Sequence, residues 1–524
     1  MGRKDKKVMH WADQTAQRIV QQKGKKERYT LAAGITPSGV IHLGNFREII
    51  TVDLINKALN DLGHKTRFIY SWDEYDVFRK VPSNMPKQDM LKEHLREAIT
   101  DIPDPFDCKH KSYADHNEKE VEKELPELNI APEFIYQADK YKKCIYAEEM
   151  KTALENTDKI KEILNEHRKE DLEKSWLPVS IFCEKCKKDT IKSIEYPGGY
   201  ELTYDCECGN KNTFDFRKKG IVKLKWRIDW PARWKYEKVD FESGGKDHFA
   251  AGGSFDTGKR IAKEVFKINE PASMRYEWIA LKGKGQFASS SGLVITLADM
   301  KKIYSPEIIR WLFASTRPDT EFSISFDLDV LTIYEAFNKC ERIYFDKEEN
   351  VSDKEKAKQK RIYELSAVKI PKKIPYQPGF RHLTNLLQTH ENNIKKTMDT
   401  FEDIKDEKDK DRLKLRMECV LNWLENYAPD DFKFTVQKEI TKDLKLDKKE
   451  IQALKKVTEL LDTSIEEKEL YEEFYNICKE LDLNVGNFFK AAYKVLINKE
   501  KGPKLASFII IIGKEKVKKL FSKI

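Results

Sequence analysis

The stretch "AAGITPSGVIHLGNFREII", Ala32 to Ile50, constrains this chain more than any other. An apolar run, "RYTLAAGI", reads as a short strand. Thr36-Pro37-Ser38-Gly39 then marks a tight turn, because Pro and Gly are the strongest local punctuation in a sequence. Beyond Asn45, Ile49, Ile50, Leu54, Ile55, Ala58, Leu59 and Leu62 recur at helical spacing, and Gly63 ends the pattern. "KTRFIYSW" reads as a second strand and is followed by acidic "DEYD". Strand, turn, helix, strand opens a parallel α/β sheet, which offers ligands the C-terminal ends of its strands.

His42 and Asn45 stand three apart at the start of that helix. A helix N-terminus in this position presents N–H groups and a positive dipole end to phosphate. Gly44 leaves room for a flat base. Taken alone, the stretch reads equally as a capped helix with a surface His, since Ser and Asn favour caps.

At 524 residues the chain is about three or four times a typical domain, so several domains are expected. Residues 1–28 read as a basic helical extension and 29–320 as the α/β domain. Irregular, cysteine-bearing sequence from about 103 to 220 reads as an insertion. "IVKLKWRIDWP" alternates, with Val222, Leu224, Trp226, Ile228 and Trp230 on one face, and reads as a strand. The remainder, 321–524, is nearly all helical in pattern from about 330 onward. The fold class expected is a Rossmann-like parallel-sheet domain with a metal-bearing insertion, then an all-α part.

Formal net charge is +8, from 97 basic and 89 acidic residues. So mild an excess permits a polyanionic partner without requiring one. No apolar run reaches 18 residues, which predicts no membrane span, and the N-terminus lacks the apolar centre of a secretory signal. Nine Cys, four of them in two close pairs, read as a cytosolic chain using metal rather than disulfides. Cys183-x-x-Cys186 and Cys206-x-Cys208 have the character of a tetrahedral structural zinc site. Asp104, Cys108, His110 and His116 are all good zinc ligands within a short run and form a second candidate. "GSFDTGKR", Gly253 to Arg260, nearly fits a phosphate-binding P-loop. Arg260, however, occupies the position of the required hydroxyl, and the run before it is loop-like rather than a strand.

"TPSGVIHLGNFRE" resembles the nucleotide-binding signature of class I aminoacyl-tRNA synthetases, written His-Ile-Gly-His, with Asn45 in place of the second His. The full phrase resembles the class I lysyl-tRNA synthetase subfamily, as do "WDEYDVFRKVP", "WRIDWPARW", "GKDHFAAGGSFDTGKRI" and "YEWI" in the same order. The resemblance implies lysine activation by ATP with Mg2+, followed by transfer of lysine to the 2′-hydroxyl of the terminal adenosine of tRNA(Lys). It implies a nucleotide site at Thr36, Pro37, Ser38, Gly39, His42, Leu43, Gly44 and Asn45. A second class I signature, Lys-Met-Ser-Lys-Ser, falls on Gln286, Phe287, Ala288, Ser289 and Ser290, where both lysine positions are uncharged. Lys282 and Lys284 are the nearby cations. Catalysis is then expected from His42, Asn45, Gln286, Ser289 and Ser290 by positioning and charge stabilisation.

By the same resemblance, Gly34, Thr36, Trp226, His248 and Tyr276 contact lysine. The carboxylates Asp73, Glu74 and Asp76, after a strand end, are candidates for its ammonium. In the resembling family the Cys and His of the second metal run are adjacent, whereas Lys109 separates them here. The helical part is expected to bind the anticodon through lysines and the aromatic residues Trp423, Tyr427 and Phe432. A monomer is expected. Two alternatives stay open at this point: a synthetase for another amino acid such as glutamate, and a non-catalytic tRNA-binding paralogue.

Overall fold

The computed structural model describes residues 9–283, 285–286, 294–441 and 443–524. The chain divides into two units, and each is interrupted in sequence. One holds residues up to 300, 306–324 and 346–370; the other holds 301–305, 325–345 and 371–524.

In the first unit α1 (Trp11–Lys23) precedes β1 (Tyr29–Ile35), α2 (Leu43–Asp61) and β2 (Thr66–Trp72). The α2 helix stops where Gly63, at φ +85°, leaves the helical region. Farther on come β3 (Glu133–Tyr136), α3 (Trp226–Glu237), β4 (Phe241–Gly245) and β5 (Ala272–Tyr276). The five strands form one parallel sheet in the order β5-β4-β1-β2-β3. The chain leaves β1 toward β2 on one side and later returns to pair β4 on the other. That reversal opens a crevice beyond the C-terminal ends of the strands. Ala32, Ile69 and Ile135 bury one sheet face against Trp230 and Trp234 of α3 and Phe255.

Two expectations need correction. The 103–220 segment is not wholly an insertion, because it supplies β3 and with it one edge of the main sheet. The run from Val222 to Trp230 is a strand only over Val222–Leu224, and α3 begins at Trp226. Ile228, Asp229, Trp230, Ala232, Arg233 and Trp234 are all buried, so α3 is enclosed nearly all round. Such a helix carries no amphipathic stripe, and its aromatic residues imitate a strand's alternation.

The two cysteine pairs sit on hairpin-like turns beside an antiparallel sheet of Ile191–Gly198, Glu201–Cys206 and Lys211–Asp215. The "GSFDTGKR" run lies on the helix Ser254–Glu264, where Gly258 packs against Trp234. It forms a packing surface and no phosphate loop.

The second unit contains no strand among the described residues. Its helices include Asp329–Tyr344, Phe380–Thr389, Glu407–Asn426 and five more from Lys448–Leu460 to Lys514–Phe521. Trp423 has no exposed surface and donates its indole N–H to the Phe326 carbonyl at 3.1 Å. It is core, which corrects its expected role as a stacking surface for RNA bases. Tyr427 is 38% exposed, its ring 4.9 Å from that of Phe326.

Candidate active site

The C-terminal ends of β1, β2, β4 and β5 surround a cavity of about 520 Å³. Gly34 and Thr36 come from the end of β1, His42, Gly44, Asn45 and Glu48 from α2, and Asp73 and Asp76 from the loop after β2. Trp226 opens α3, His248 follows β4, and Tyr276 ends β5. Parallel-sheet topology thus gathers residues separated by more than 200 positions.

The first turn of α2 is a capping box. Gly44 N–H donates to His42 Nδ1 at 3.1 Å, and Asn45 Oδ1 accepts the His42 N–H at 3.1 Å. Because Nδ1 accepts, the neutral ring carries its proton on Nε2. Burial lowers the His42 pKa, which keeps the ring neutral near pH 7. The Leu43 N–H donates to the Ile295 carbonyl at 2.9 Å and the Asn45 N–H to His42 O at 2.9 Å. The N–H groups of the first turn are therefore already bonded, contrary to the sequence expectation, and the turn meets an anion with its dipole and the two side chains.

Not every residue of the opening signature reaches the cavity. Leu43 is fully buried in the core. Ser38 turns away, its carbonyl accepting from Tyr113 Oη at 2.9 Å, and Gly39 packs against Pro82. Pro37 is buried and off the cavity wall. Gly34 does line the cavity, but its need for glycine is set by the neighbouring strand: a Cβ there would meet the Ser71 carbonyl oxygen at 2.7 Å. Thr36 Oγ1 donates to Asp76 at 3.0 Å. His248 Nδ1 lies 2.6 Å from Ser254 Oγ, and Trp226 stacks on Trp230.

Gln286 pairs, in a two-residue strand, with Ala280 of Ile279–Leu281. Lys284, Phe287, Ala288, Ser289 and Ser290 lie outside the described residues.

The acidic residues of the cavity divide into committed and uncommitted groups. Asp73 receives Arg233 at 2.6 and 3.3 Å, and Asp229 lies 3.4 Å from the same guanidinium. Asp76 pairs with Lys223. Asp73 is therefore a poor candidate for a substrate ammonium, a correction that only the fold provides. Glu74 also serves the backbone, accepting the N–H groups of Gln137 and Ala138.

Glu48 is different. Its carboxylate accepts the Gly34 N–H at 3.0 Å and the Tyr276 hydroxyl at 2.7 Å, and no side-chain cation pairs with it among the described residues. Burial pushes its pKa up to about 8. It borders a smaller inner recess of about 40 Å³ shared with Glu242, Asp73, Trp226 and Arg233. Glu242 accepts the Trp234 indole N–H at 2.5 Å and is pushed by burial up to about 7. The sequence reading missed both glutamates. On a helix with apolar neighbours, Glu48 reads as a surface residue, and only its position against β1 and β5 shows otherwise.

Arg47, one residue earlier, is buried and donates to the carbonyls of Glu277, Trp278, Arg317, Pro318 and Thr320 at 2.7–3.1 Å. It pins the segment after β5 to α2, which fixes Tyr276 relative to Glu48.

Away from the cavity, two clusters each bring four possible metal-ligand side chains together. The Cys183–Cys208 and Cys186–Cys206 sulfurs are each 3.7 Å apart, and all four lie within 4.8 Å of one another. A tetrahedron with metal–sulfur bonds of about 2.3 Å has edges of about 3.8 Å. Lys187 at φ +64° and Gly209 at φ +82° turn the chain just after each pair. In the second cluster Cys108 Sγ is 2.5 Å from Asp104, 2.8 Å from His110 Nδ1 and 3.2 Å from His116 Nδ1. The intervening Lys109 does not carry His110 out of reach.

This parallel-sheet site, capped by a His/Asn helix turn, is that of a class I aminoacyl-tRNA synthetase. Residues 9–369 match the family model described as tRNA synthetases class I (K), and residues 410–520 match an anticodon binding domain. The chain belongs to the class I (K) tRNA synthetase family. It is 49% identical over 522 residues to the lysine–tRNA ligase of Borreliella burgdorferi, covering 99% of each chain. It is 44% identical to that of Treponema pallidum, covering 98% of this chain and 99% of the relative. With that of Thermococcus kodakarensis it shares 40% identity, over 97% of this chain and 98% of the relative.

Proposed function

We infer that this chain is a lysine–tRNA ligase. The observation that carries the substrate choice is the pair Glu48 and Glu242 at the inner recess, carboxyls with no side-chain ion pair among the described residues while Arg233 is committed to Asp73 and Asp229. A substrate ammonium brings the missing charge. The side-chain carboxylate of glutamate brings no positive charge for these carboxyls to pair with, which disfavours that amino acid.

The lysine side chain lies with its methylene stem along Trp226 and its ε-ammonium toward Glu48, with Tyr276 holding that carboxylate in place. Its carboxylate attacks the α-phosphorus of ATP, bound as substrate with Mg2+, and pyrophosphate leaves. His42, through Nε2–H, and Asn45 serve the phosphates with the dipole of α2 behind them. The 2′-hydroxyl of the terminal adenosine of tRNA(Lys) then attacks the lysyl carbonyl carbon and AMP leaves. No covalent enzyme intermediate is needed, and the work is positioning and charge stabilisation.

Zinc suits the four-cysteine cluster, where it would supply folding energy to a segment of small hairpins. It also suits Asp104, Cys108, His110 and His116. In the second unit, a groove of about 1000 Å³ is edged by Lys433, Lys438 and Lys499, of which Lys433 and Lys438 pair with Asp430 and Glu391 and would have to exchange those partners for phosphate. We assign anticodon recognition to this unit, and take the protein to act as a monomer in the cytoplasm.

The test is ATP–pyrophosphate exchange with each amino acid, with and without tRNA. Lysine-dependent exchange is expected. Exchange driven by glutamate would overturn the assignment. Exchange with no amino acid, with tRNA binding retained, would make the chain a non-catalytic paralogue.

A further inference from the structure

Most cations at the cavity wall are paired with acids. Lys223 is turned into Asp76, Arg233 into Asp73, and Lys246 into Glu277 and Glu321. Two remain. Lys225 and Arg79 both line the cavity, and neither has an acidic partner within ion-pair distance among the described residues. Arg79 is exposed at the rim. Lys225 is half-buried at the junction between Val222–Leu224 and α3, where its backbone N–H donates to the Pro178 carbonyl at 2.9 Å. Its ammonium lies 4.7 Å from the centre of the Trp176 ring. Its charged neighbour on α3, Arg227, is bound to Gly252 O and Thr257, and Asp247 and His248 also line the cavity. Burial, with no acid to oppose it, lowers the Lys225 pKa to about 8.

We propose that Lys225, with Arg79 at the rim, is the cation that meets the polyphosphate of ATP in this cavity. For a half-buried ammonium with no acidic counter-ion, the Trp176 ring offsets only part of the desolvation cost until an anion arrives. The polyphosphate chain of ATP, even with one Mg2+, brings a charge of about −2, and more develops on the leaving pyrophosphate. The run Gln286-Phe287-Ala288-Ser289-Ser290 contains no cationic residue to answer it. Lys225 directly precedes Trp226 on the cavity wall, so one short segment would hold the lysine stem with one residue and the nucleotide with the other. This inference rests on the ligase reading above and adds a substrate-contacting residue to it.

The experiment compares the parent with Lys225→Met and Lys225→Arg, with tRNA and Mg2+ present. In lysine-dependent exchange at pH 7, Lys225→Met should lower kcat/KM for ATP at least tenfold and leave KM for lysine within twofold. Lys225→Arg should stay within about threefold of the parent. Above pH 8 the parent should lose ATP affinity as the ammonium deprotonates, whereas Lys225→Arg should not. Unchanged kcat/KM for ATP in Lys225→Met would overturn the proposal, as would parallel losses in ATP, lysine and thermal stability, which mark a merely structural lysine. Calorimetric titration with Mg–ATP separates this from a failure of the ligase reading. If the parent shows no lysine-dependent exchange yet Lys225→Met still weakens Mg–ATP tenfold, the activity is misread and the cation site stands. Equal affinity in parent and variant removes the cation site whatever the activity.

Discussion

Replacing Glu48 with Gln tests how the site chooses its amino acid. The substitution keeps the side chain's shape and an oxygen to accept from Gly34 N–H or Tyr276 Oη, which now do so at 3.0 and 2.7 Å. It removes only the charge that meets the substrate ammonium. A hydrogen bond to a charged group contributes about 1.5–3 kcal/mol, so kcat/KM for lysine should fall between about tenfold and a hundredfold while KM for ATP holds. The pH dependence sharpens the test. The free carboxyl, held up to about 8 by burial, is protonated at pH 7 and must ionise to pair with an ammonium. Lysine binding therefore expels a proton, and lysine affinity rises with pH, by up to tenfold per unit, levelling above pH 8. Glu242, at about 7, is itself still titrating at the lower end of the interval from pH 7 to 8, so the comparison with Glu48→Gln assigns the slope. Lysine titrations by calorimetry at pH 7.0, 7.5 and 8.0, in two buffers of different ionisation heat, measure both the affinity and the proton released. A Glu48→Gln enzyme with KM for lysine within twofold of the parent, or with the same pH slope, would refute the reasoning. The variant's Tm should not fall, because a buried carboxyl that resists ionisation contributes least to stability at neutral and alkaline pH.

His42→Asn keeps a helix cap but removes the imidazole; exchange should drop about a hundredfold or more, on the order of 3 kcal/mol in the transition state, with little change in Tm. His42→Ala should lose about 1 kcal/mol of stability besides, the usual cost of a missing cap. Elemental analysis should find about two zinc ions per chain, about one after Cys183→Ser/Cys186→Ser, and a loss from the other site after Cys108→Ser/His116→Ala; a parent value near one would remove the second site. Trp423→Ala should cost about 3–5 kcal/mol of stability in the second unit, measured by denaturant unfolding, because it empties a core position. Lys433→Ala/Lys438→Ala should weaken tRNA binding and make its logarithmic salt slope shallower by about one to two, without affecting lysine-dependent exchange.

The opening β1–α2–β2 unit was legible because every level of its sequence agrees: apolar strands, turn residues at the turn, and a 3.6-residue period ended by Gly63. His42 and Asn45 could be placed from that alone. The cysteine clusters were legible because ligand spacing is local. What stayed hidden depends on long-range pairing. Nothing near Asp73 announces that Arg233, 160 residues away, occupies it. Asp73 and Glu48 look alike as letters, yet one is committed to an ion pair and the other meets only a hydroxyl and an amide. Helix α3 was misread because enclosure on all sides erases the periodicity that identifies a helix, and Pro231 within it argues for a break.

The interleaving of the two units bears on how a ribosome can make this protein. The helix Asp353–Ser366 belongs to the first unit, where Lys57 donates to its terminal carbonyls and Arg310 bridges Asp53 and Leu365 O. Yet the chain has by then already emitted 301–305 and 325–345, which belong to the second. The nascent first unit cannot complete itself in one pass. It must wait, with Arg310 lacking the Leu365 carbonyl it donates to, while a helix of the other unit emerges with only the stretch holding Ile303 and Tyr304 of its own unit to meet until after residue 371. A cut after residue 370 leaves the first unit whole but strips the second of 301–305 and 325–345, and a cut before 325 strips the first of 346–370, so a clean two-piece version of this protein requires rearranging the order of its segments.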